Sequence, residues 1–225
     1  MDNVARFVRG LRRRVFLQDR LATGVLVLGL LLWYVGQLWA LEAGWSRASL
    51  QWWFTTTDYP TLSPGLVLAS LSHSFVSPRH LLANVAVLWL VGGDSEQWMG
   101  RWEVLAFFAL TGVVAVVLST VLTNQGTMGA SGAAYAFVGF YCVHTVVARC
   151  DTFSLSRVPP FAVTVAWVRA FWNVMLTIAP VVFAAKFFGQ WTGIVAAGRS
   201  DSVGHLLGLV CGVLYAVGRQ YLSTL

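Results

Sequence analysis

Hydrophobic residues in this sequence form long runs, and the polar and charged residues collect in shorter stretches between them. A run of about 20 apolar residues is long enough to cross the hydrocarbon core of a bilayer as an α-helix. Such a helix satisfies its backbone hydrogen bonds within the segment. The pattern therefore predicts an all-α, polytopic integral membrane protein with six transmembrane helices. The predicted spans are residues 21–41, 80–93, 102–122, 130–147, 170–188 and 203–222.

Three stretches between the predicted spans are interpreted separately. Residues 42–79 are rich in tryptophan, which favours the membrane interface, so we expect a structured loop with short interfacial helices. The charged positions after residue 93 are expected to form a short cytoplasmic turn, made by Asp94, Glu96 and Arg101. Residues 149–157 are expected to form a cytoplasmic loop, and an interfacial segment with Pro159 and Pro160 is expected between this loop and the fifth span. A single long tilted helix over 158–188 is the alternative to a span at 170–188.

The charge pattern supports the membrane interpretation and sets an orientation. Only 11% of the 225 residues are charged, whereas soluble domains carry about 25%. The net charge of +6 comes largely from arginines before the first span, which marks a cytoplasmic segment rather than a nucleic-acid surface. These residues are Arg6, Arg9, Arg12, Arg13, Arg14 and Arg20. We expect a multi-pass protein of the cell membrane, with both termini cytoplasmic.

The domain organisation expected from this pattern is simple. Residues 1–20 form a basic cytoplasmic segment, and residues 21–225 form one membrane domain without internal repeats. The three cysteines are odd in number and contain no CxxC pair, so neither a disulfide framework nor a metal site is expected.

The first candidate for chemistry is the segment GASG, which contains Gly129, Ser131 and Gly132. Ser131 is predicted in the first turn of the fourth span, where unsatisfied backbone N–H groups and the helix dipole favour negative charge. A serine nucleophile needs such surroundings, and small neighbours let a substrate backbone approach. A helix cap or a small-residue helix contact explains the same four residues.

The second candidate is His205, in the last span. Gly204, Gly208 and Gly212 recur every four residues and give this helix a smooth face for close packing. A buried imidazole there could accept the proton of Ser131 and return it to a leaving amine. A structural histidine bonded between helices is the alternative.

The third candidate is the pair His80 and Asn84, which lie four residues apart and therefore share one helix face. Both side chains can donate hydrogen bonds to an oxyanion, although they could also join two helices. The three candidates together favour catalysis. Asp201 precedes His205 by four residues but is predicted in a loop, so the sequence favours a Ser–His dyad over a triad.

The motifs HLLANVAVLWLVGGDSE, GASGAAYAFVGF and GHLLGLVCG, in this order, resemble the rhomboid family of intramembrane serine proteases. The resemblance implies Ser131 as nucleophile and His205 as base. It implies an oxyanion hole made by His80, Asn84 and the Ser131 backbone, with Tyr135 packed on His205. It also implies that Glu96 anchors the turn after the second helix. Gly129, Gly132, Gly208 and Gly212 support the site.

The resemblance further implies substrates that are themselves transmembrane proteins in the lipid bilayer, cut without a metal or another cofactor. Nucleic acid is not expected as a partner. A catalytically inactive relative that binds or escorts membrane helices is the main alternative, but it would lack Ser131 or His205, and both are present. A transporter is less consistent, because no inverted repeat is seen.

Overall fold

The computed structural model describes residues 20–57, 61–150 and 201–222. Within these ranges the chain is helical, and no β-strand occurs. The predicted fifth span at 170–188, residues 151–169 before it and the arginines before Arg20 lie outside the described residues. The predicted total of six spans is therefore tested only in part.

The helices follow one another in simple order along the described chain. They are α1 (Leu21–Glu42), α2 (Arg47–Phe54), α3 (Gly65–Leu68), α4 (Arg79–Val87), α5 (Gly93–Met99), α6 (Arg101–Thr123), α7 (Ser131–Cys150) and α8 (Ser202–Leu222). A π-helical turn, Leu88–Gly92, joins α4 to α5 without a break. Three of these helices, α1, α6 and α8, are long and apolar enough to cross a membrane.

The loop between α1 and α4 contains the expected short helices, α2 and α3. An aromatic cluster fixes it against α1, because the ring of Phe54 makes edge contacts with Trp33 and Phe75. The loop also reaches the segment before α7, where Thr56 and Thr127 exchange hydrogen bonds of 2.9 and 3.2 Å through their backbone and side-chain groups. The prediction of a structured loop is confirmed.

The prediction of a charged turn after residue 93 is wrong. The helix continues through Gly93 to Met99, and the chain turns only at Gly100, which has a φ of +85°. Within this helix the charges of Asp94 and Glu96 find partners at the start of α1. The guanidinium of Arg20, the residue that precedes α1, binds Asp94 at 2.6 Å and is itself buried.

Glu96 caps the first helix rather than anchoring the turn behind it. Its buried carboxylate accepts hydrogen bonds from the backbone N–H groups of Ala22 and Thr23, both at 2.9 Å, and from the Thr23 hydroxyl at 2.8 Å. These N–H groups belong to the first turn of α1 and have no partner within that helix. A negative charge is also favoured there by the helix dipole.

Helix α7 packs against α8 through their small residues. A Cβ added to Gly208 would strike the carbonyl oxygen of Gly132, and one added to Gly212 would strike that of Ala136. The contact expected from the four-residue spacing of glycines is therefore present, and it brings the two backbones together. On its other sides α7 contributes Phe137 to the main hydrophobic core.

Candidate active site

Ser131 is the first residue of α7, and only 6% of its surface is exposed. The chain enters this helix through Gly129, whose φ of +137° is a conformation that other residues rarely adopt. The N–H of Gly129 donates to the carbonyl of Ala69 at 2.8 Å, which ties the turn to the loop after α3. Ser131 thus lies in the first turn of a buried helix, where N–H groups remain available to an anion.

Gly129 also brings Ser131 and His80 together. A Cβ on Gly129 would lie 2.9 Å from Cε1 of His80 and 3.4 Å from Oγ of Ser131. Both side chains are therefore within van der Waals reach of a single point. The absence of a side chain at Gly129 keeps that point open, so glycine is needed here for space as well as for its φ angle.

His205 lies in the first turn of α8, beside the first turn of α7. The ring of Tyr135 stacks on its imidazole, with ring centres 4.5 Å apart and planes 24° from parallel. A Cβ on Gly132 would come within 3.6 Å of the carbonyl oxygen of Gly204. Gly132 follows Ser131 and Gly204 precedes His205, so the backbones that carry the two proposed catalytic residues lie close together.

Asp201 connects the start of α8 to two other segments. Its carboxylate accepts hydrogen bonds from the hydroxyls of Ser119 at 2.5 Å and Thr127 at 2.7 Å, and from the N–H of Gly204 at 2.8 Å. The last bond makes Asp201 the N-cap of α8. The carboxylate thus has three structural partners, which is consistent with the expectation that it is no third catalytic residue.

His80 and Asn84 lie one turn apart on α4, as their spacing predicts. Asn84 is buried, and its Nδ2 lies 3.0 Å from Nε2 of His73. The ring of His73 also contacts that of His80, with centres 5.4 Å apart. The two proposed oxyanion donors are therefore linked through His73.

Sequence reasoning assigned no role to His73. Its position in an irregular loop gives no helical spacing relative to the motifs, and its burial is visible only in the structure. The signal in the sequence was a resemblance to a rhomboid histidine just before the second helix, but its spacing is altered here, so no role was assigned.

Among the residues that the structure describes, no three His, Cys, Asp or Glu side chains come together as metal ligands. The start of α7 has around it a serine, an imidazole and several hydrogen-bond donors, which are the groups that acyl transfer requires.

Comparison with known proteins supports the same class. None of the curated proteins matches the chain. The family model described as the Rhomboid domain matches residues 65–221, which is well over half of the 225 residues and includes each motif discussed above. The resemblance that the three motifs suggested is thereby confirmed, and the chain belongs to the rhomboid family.

Proposed function

We propose that this protein is an active intramembrane serine endopeptidase, with Ser131 as nucleophile and His205 as general base. Rhomboid proteins are generally serine proteases of the membrane that act on membrane proteins. The observation that carries the proposal is the close approach of the α7 and α8 backbones at Gly132 and Gly208, together with the stacking of Tyr135 on His205. These contacts hold a serine and an imidazole on adjacent helix starts.

The chemistry follows that of serine hydrolases. The Ser131 hydroxyl attacks the carbonyl carbon of the scissile peptide bond while His205 takes its proton. The new C–O bond leaves a negative charge on the carbonyl oxygen. When the C–N bond breaks, His205 gives the proton to the departing amine, and water then hydrolyses the acyl-enzyme in the same way.

His80, Asn84 and the Ser131 N–H are the proposed donors to the carbonyl oxygen. The proximity of His80 and Ser131 at Gly129 supports this assignment for His80. Donors fixed before the reaction stabilise the developing charge without having to reorganise, and each is commonly worth about 10²–10³ in turnover. Gly129, Gly132, Gly208 and Gly212 keep the backbones close and leave room for the substrate.

The same proposal covers substrates and topology. Apolar helices and the rhomboid match show a membrane-embedded protein. Within it we propose a domain from residue 21 to 225 with six spans, cytoplasmic termini and a basic segment over 1–20. Transmembrane proteins in the surrounding lipid are the proposed substrates, and the reaction needs no cofactor.

The test compares wild type with Ser131→Ala, using fluorophosphonate labelling and cleavage of a reporter transmembrane protein. Both activities should disappear in the variant. Ser95→Ala is the matched control, since Ser95 is also a buried helical serine but bonds only the carbonyl of Val91. It should keep both activities.

His205→Ala should also lose labelling at Ser131, because no base remains to accept the proton. Wild-type protein that binds transmembrane helices but takes no label and cuts none would instead support the inactive relative.

A further inference from the structure

The backbone of His73 is held in place by a glutamine from the first helix. Gln37 is fully buried; its Oε1 accepts the His73 N–H at 3.0 Å, and its Nε2 donates to the His73 carbonyl at 3.3 Å. This double hydrogen bond satisfies both backbone groups of a residue that lies in an irregular loop. The position of the His73 ring is therefore determined by α1 as well as by its own loop.

The ring nitrogens of His73 have different partners, and these fix its tautomer. Nδ1 lies 3.1 Å from the carbonyl oxygen of Leu71, which can only accept a hydrogen bond, so Nδ1 carries the proton. Burial, with a further contribution from the charge of His80, lowers the pKa of His73 to about 4. The ring is thus neutral near pH 7, and Nε2 presents a lone pair.

The lone pair on Nε2 in turn fixes the amide of Asn84. The atom of Asn84 that lies 3.0 Å from Nε2 must be the donor Nδ2, because a flipped amide would oppose two lone pairs. The NH₂ group has a second proton, which remains for another acceptor. Since the ring of His73 also contacts His80, this NH₂ group is held on the side of Asn84 that faces the His73–His80 pair.

We propose that His73 is a positioning residue, which holds the Asn84 amide in the orientation that donates to the oxyanion. The inference rests on the function proposed above. In it, His73 contributes to stabilisation of the transition state only by orienting the Asn84 amide. His73 itself does not need to touch the substrate.

The experiment measures turnover and the Michaelis constant for cleavage of a reporter transmembrane protein. His73→Leu removes the acceptor, so turnover should fall at least 10-fold while the Michaelis constant stays within about two-fold, since only transition-state binding is lost. His73→Gln offers a carbonyl oxygen to the Asn84 amide and should recover part of the turnover. His144→Leu, which removes a histidine at the other end of α7, is the control and should leave turnover unchanged.

A double-mutant cycle with Asn84→Ala separates positioning from a merely structural role. In the Asn84→Ala background, His73→Leu should have almost no further effect on turnover, because the amide it orients is gone. If His73→Leu lowered turnover by the same factor in the wild-type and Asn84→Ala backgrounds, the proposal would be overturned. If His73→Leu does not fold, the same cycle is run with His73→Gln, and additive losses there overturn the proposal equally.

The outcomes also separate this inference from the proposed function. Cleavage at the wild-type rate by the Ser131→Ala variant would refute the proposed function, and the positioning role would be refuted with it. Cleavage that depends on Ser131 but is unchanged in His73→Leu would refute the positioning role alone.

Discussion

The carboxylate of Asp201 accepts a hydrogen bond from the hydroxyl of Thr127 at 2.7 Å, and so joins the start of α8 to the segment that leads into Ser131. The same carboxylate caps α8 through Gly204. One side chain therefore connects the segment that carries the proposed base to the one that carries the proposed nucleophile.

Replacement of Asp201 should separate capping from catalysis. In Asp201→Ala the cap and the bonds from Ser119 and Thr127 are all lost. Loss of the cap alone should cost about 1 kcal/mol of stability, so the total loss should be larger, and fluorophosphonate labelling of Ser131 should slow several-fold. Asp201→Asn keeps a carbonyl oxygen that can cap the helix, so its labelling rate should stay close to wild type. If the Asn variant lost labelling as completely as His205→Ala, Asp201 would be a member of a catalytic triad.

The α7–α8 contact supports a second prediction. Gly212→Ala would place a methyl group on the carbonyl oxygen of Ala136, and overpacking of this kind typically costs about 1–3 kcal/mol. We expect a lower melting temperature in detergent and slower labelling of Ser131. Gly218→Ala is the matched control on the same helix, because nothing lies within 4 Å of its added Cβ. Alanine favours helix over glycine, so that variant should be at least as stable as wild type.

The long helices could be predicted from the sequence because apolar runs of sufficient length have few alternatives in a bilayer. The predicted limits 21–41, 102–122 and 203–222 agree with α1, α6 and α8 within two residues. The end of the second span could not be predicted in this way. The polarity of Asp94 and Glu96 predicted a loop. In the structure both residues are helical, and their carboxylates bind partners more than 70 positions away in the sequence, namely Arg20, Ala22 and Thr23.

In the candidate site, too, features set by local spacing could be predicted, whereas contacts set by the tertiary fold could not. Short spacings predicted that His80 and Asn84 share a face, and that Gly208 and Gly212 form a packing surface. Contacts of His73 with Asn84, and of Asp201 with Thr127, depend on how loops return to the helices. Periodicity carries no information on such contacts, which is why His73 received no role and Asp201 was described only as a loop residue.

A third prediction concerns stability at acidic pH. The pKa of His73 is about 4 in the folded protein, mainly because the ring is buried, whereas an unfolded histidine titrates near 6.5. Between these values the unfolded state binds a proton that the folded state does not. The contribution of His73 to stability is therefore full above about pH 6.5, and it falls by about 1.4 kcal/mol per pH unit as pH drops towards 4.

The measurement compares thermal unfolding of wild type and His73→Gln in detergent from pH 7 to pH 4.5. Glutamine does not titrate, so the stability of the variant should decrease less steeply over this range. Other groups that titrate affect both proteins alike and cancel in the difference. Identical slopes for the two proteins would show that His73 does not have the lowered pKa.

The final prediction compares the carboxylates of Glu96 and Glu103, which differ in burial and in their partners. Glu96 is buried and accepts three hydrogen bonds from α1, whereas Glu103 is partly exposed and forms an ion pair with Arg219 at 2.8 Å. Exposed ion pairs contribute about 0–1 kcal/mol, but hydrogen bonds to a buried charge contribute more, roughly 1.5–3 kcal/mol each.

Glu96→Gln should therefore destabilise the protein by about 2–3 kcal/mol, because the neutral amide offers a weaker acceptor and turns its NH₂ group towards N–H donors. Glu103→Gln should cost less than about 1 kcal/mol. Chemical denaturation in detergent measures both values. His80 lies in the first turn of α4, whereas Glu96 lies on α5, beyond the π-helical turn, so the folded fraction of Glu96→Gln should label at Ser131 at the wild-type rate. Equal losses of stability in the two variants would mean that the cap on α1 contributes no more than a surface ion pair.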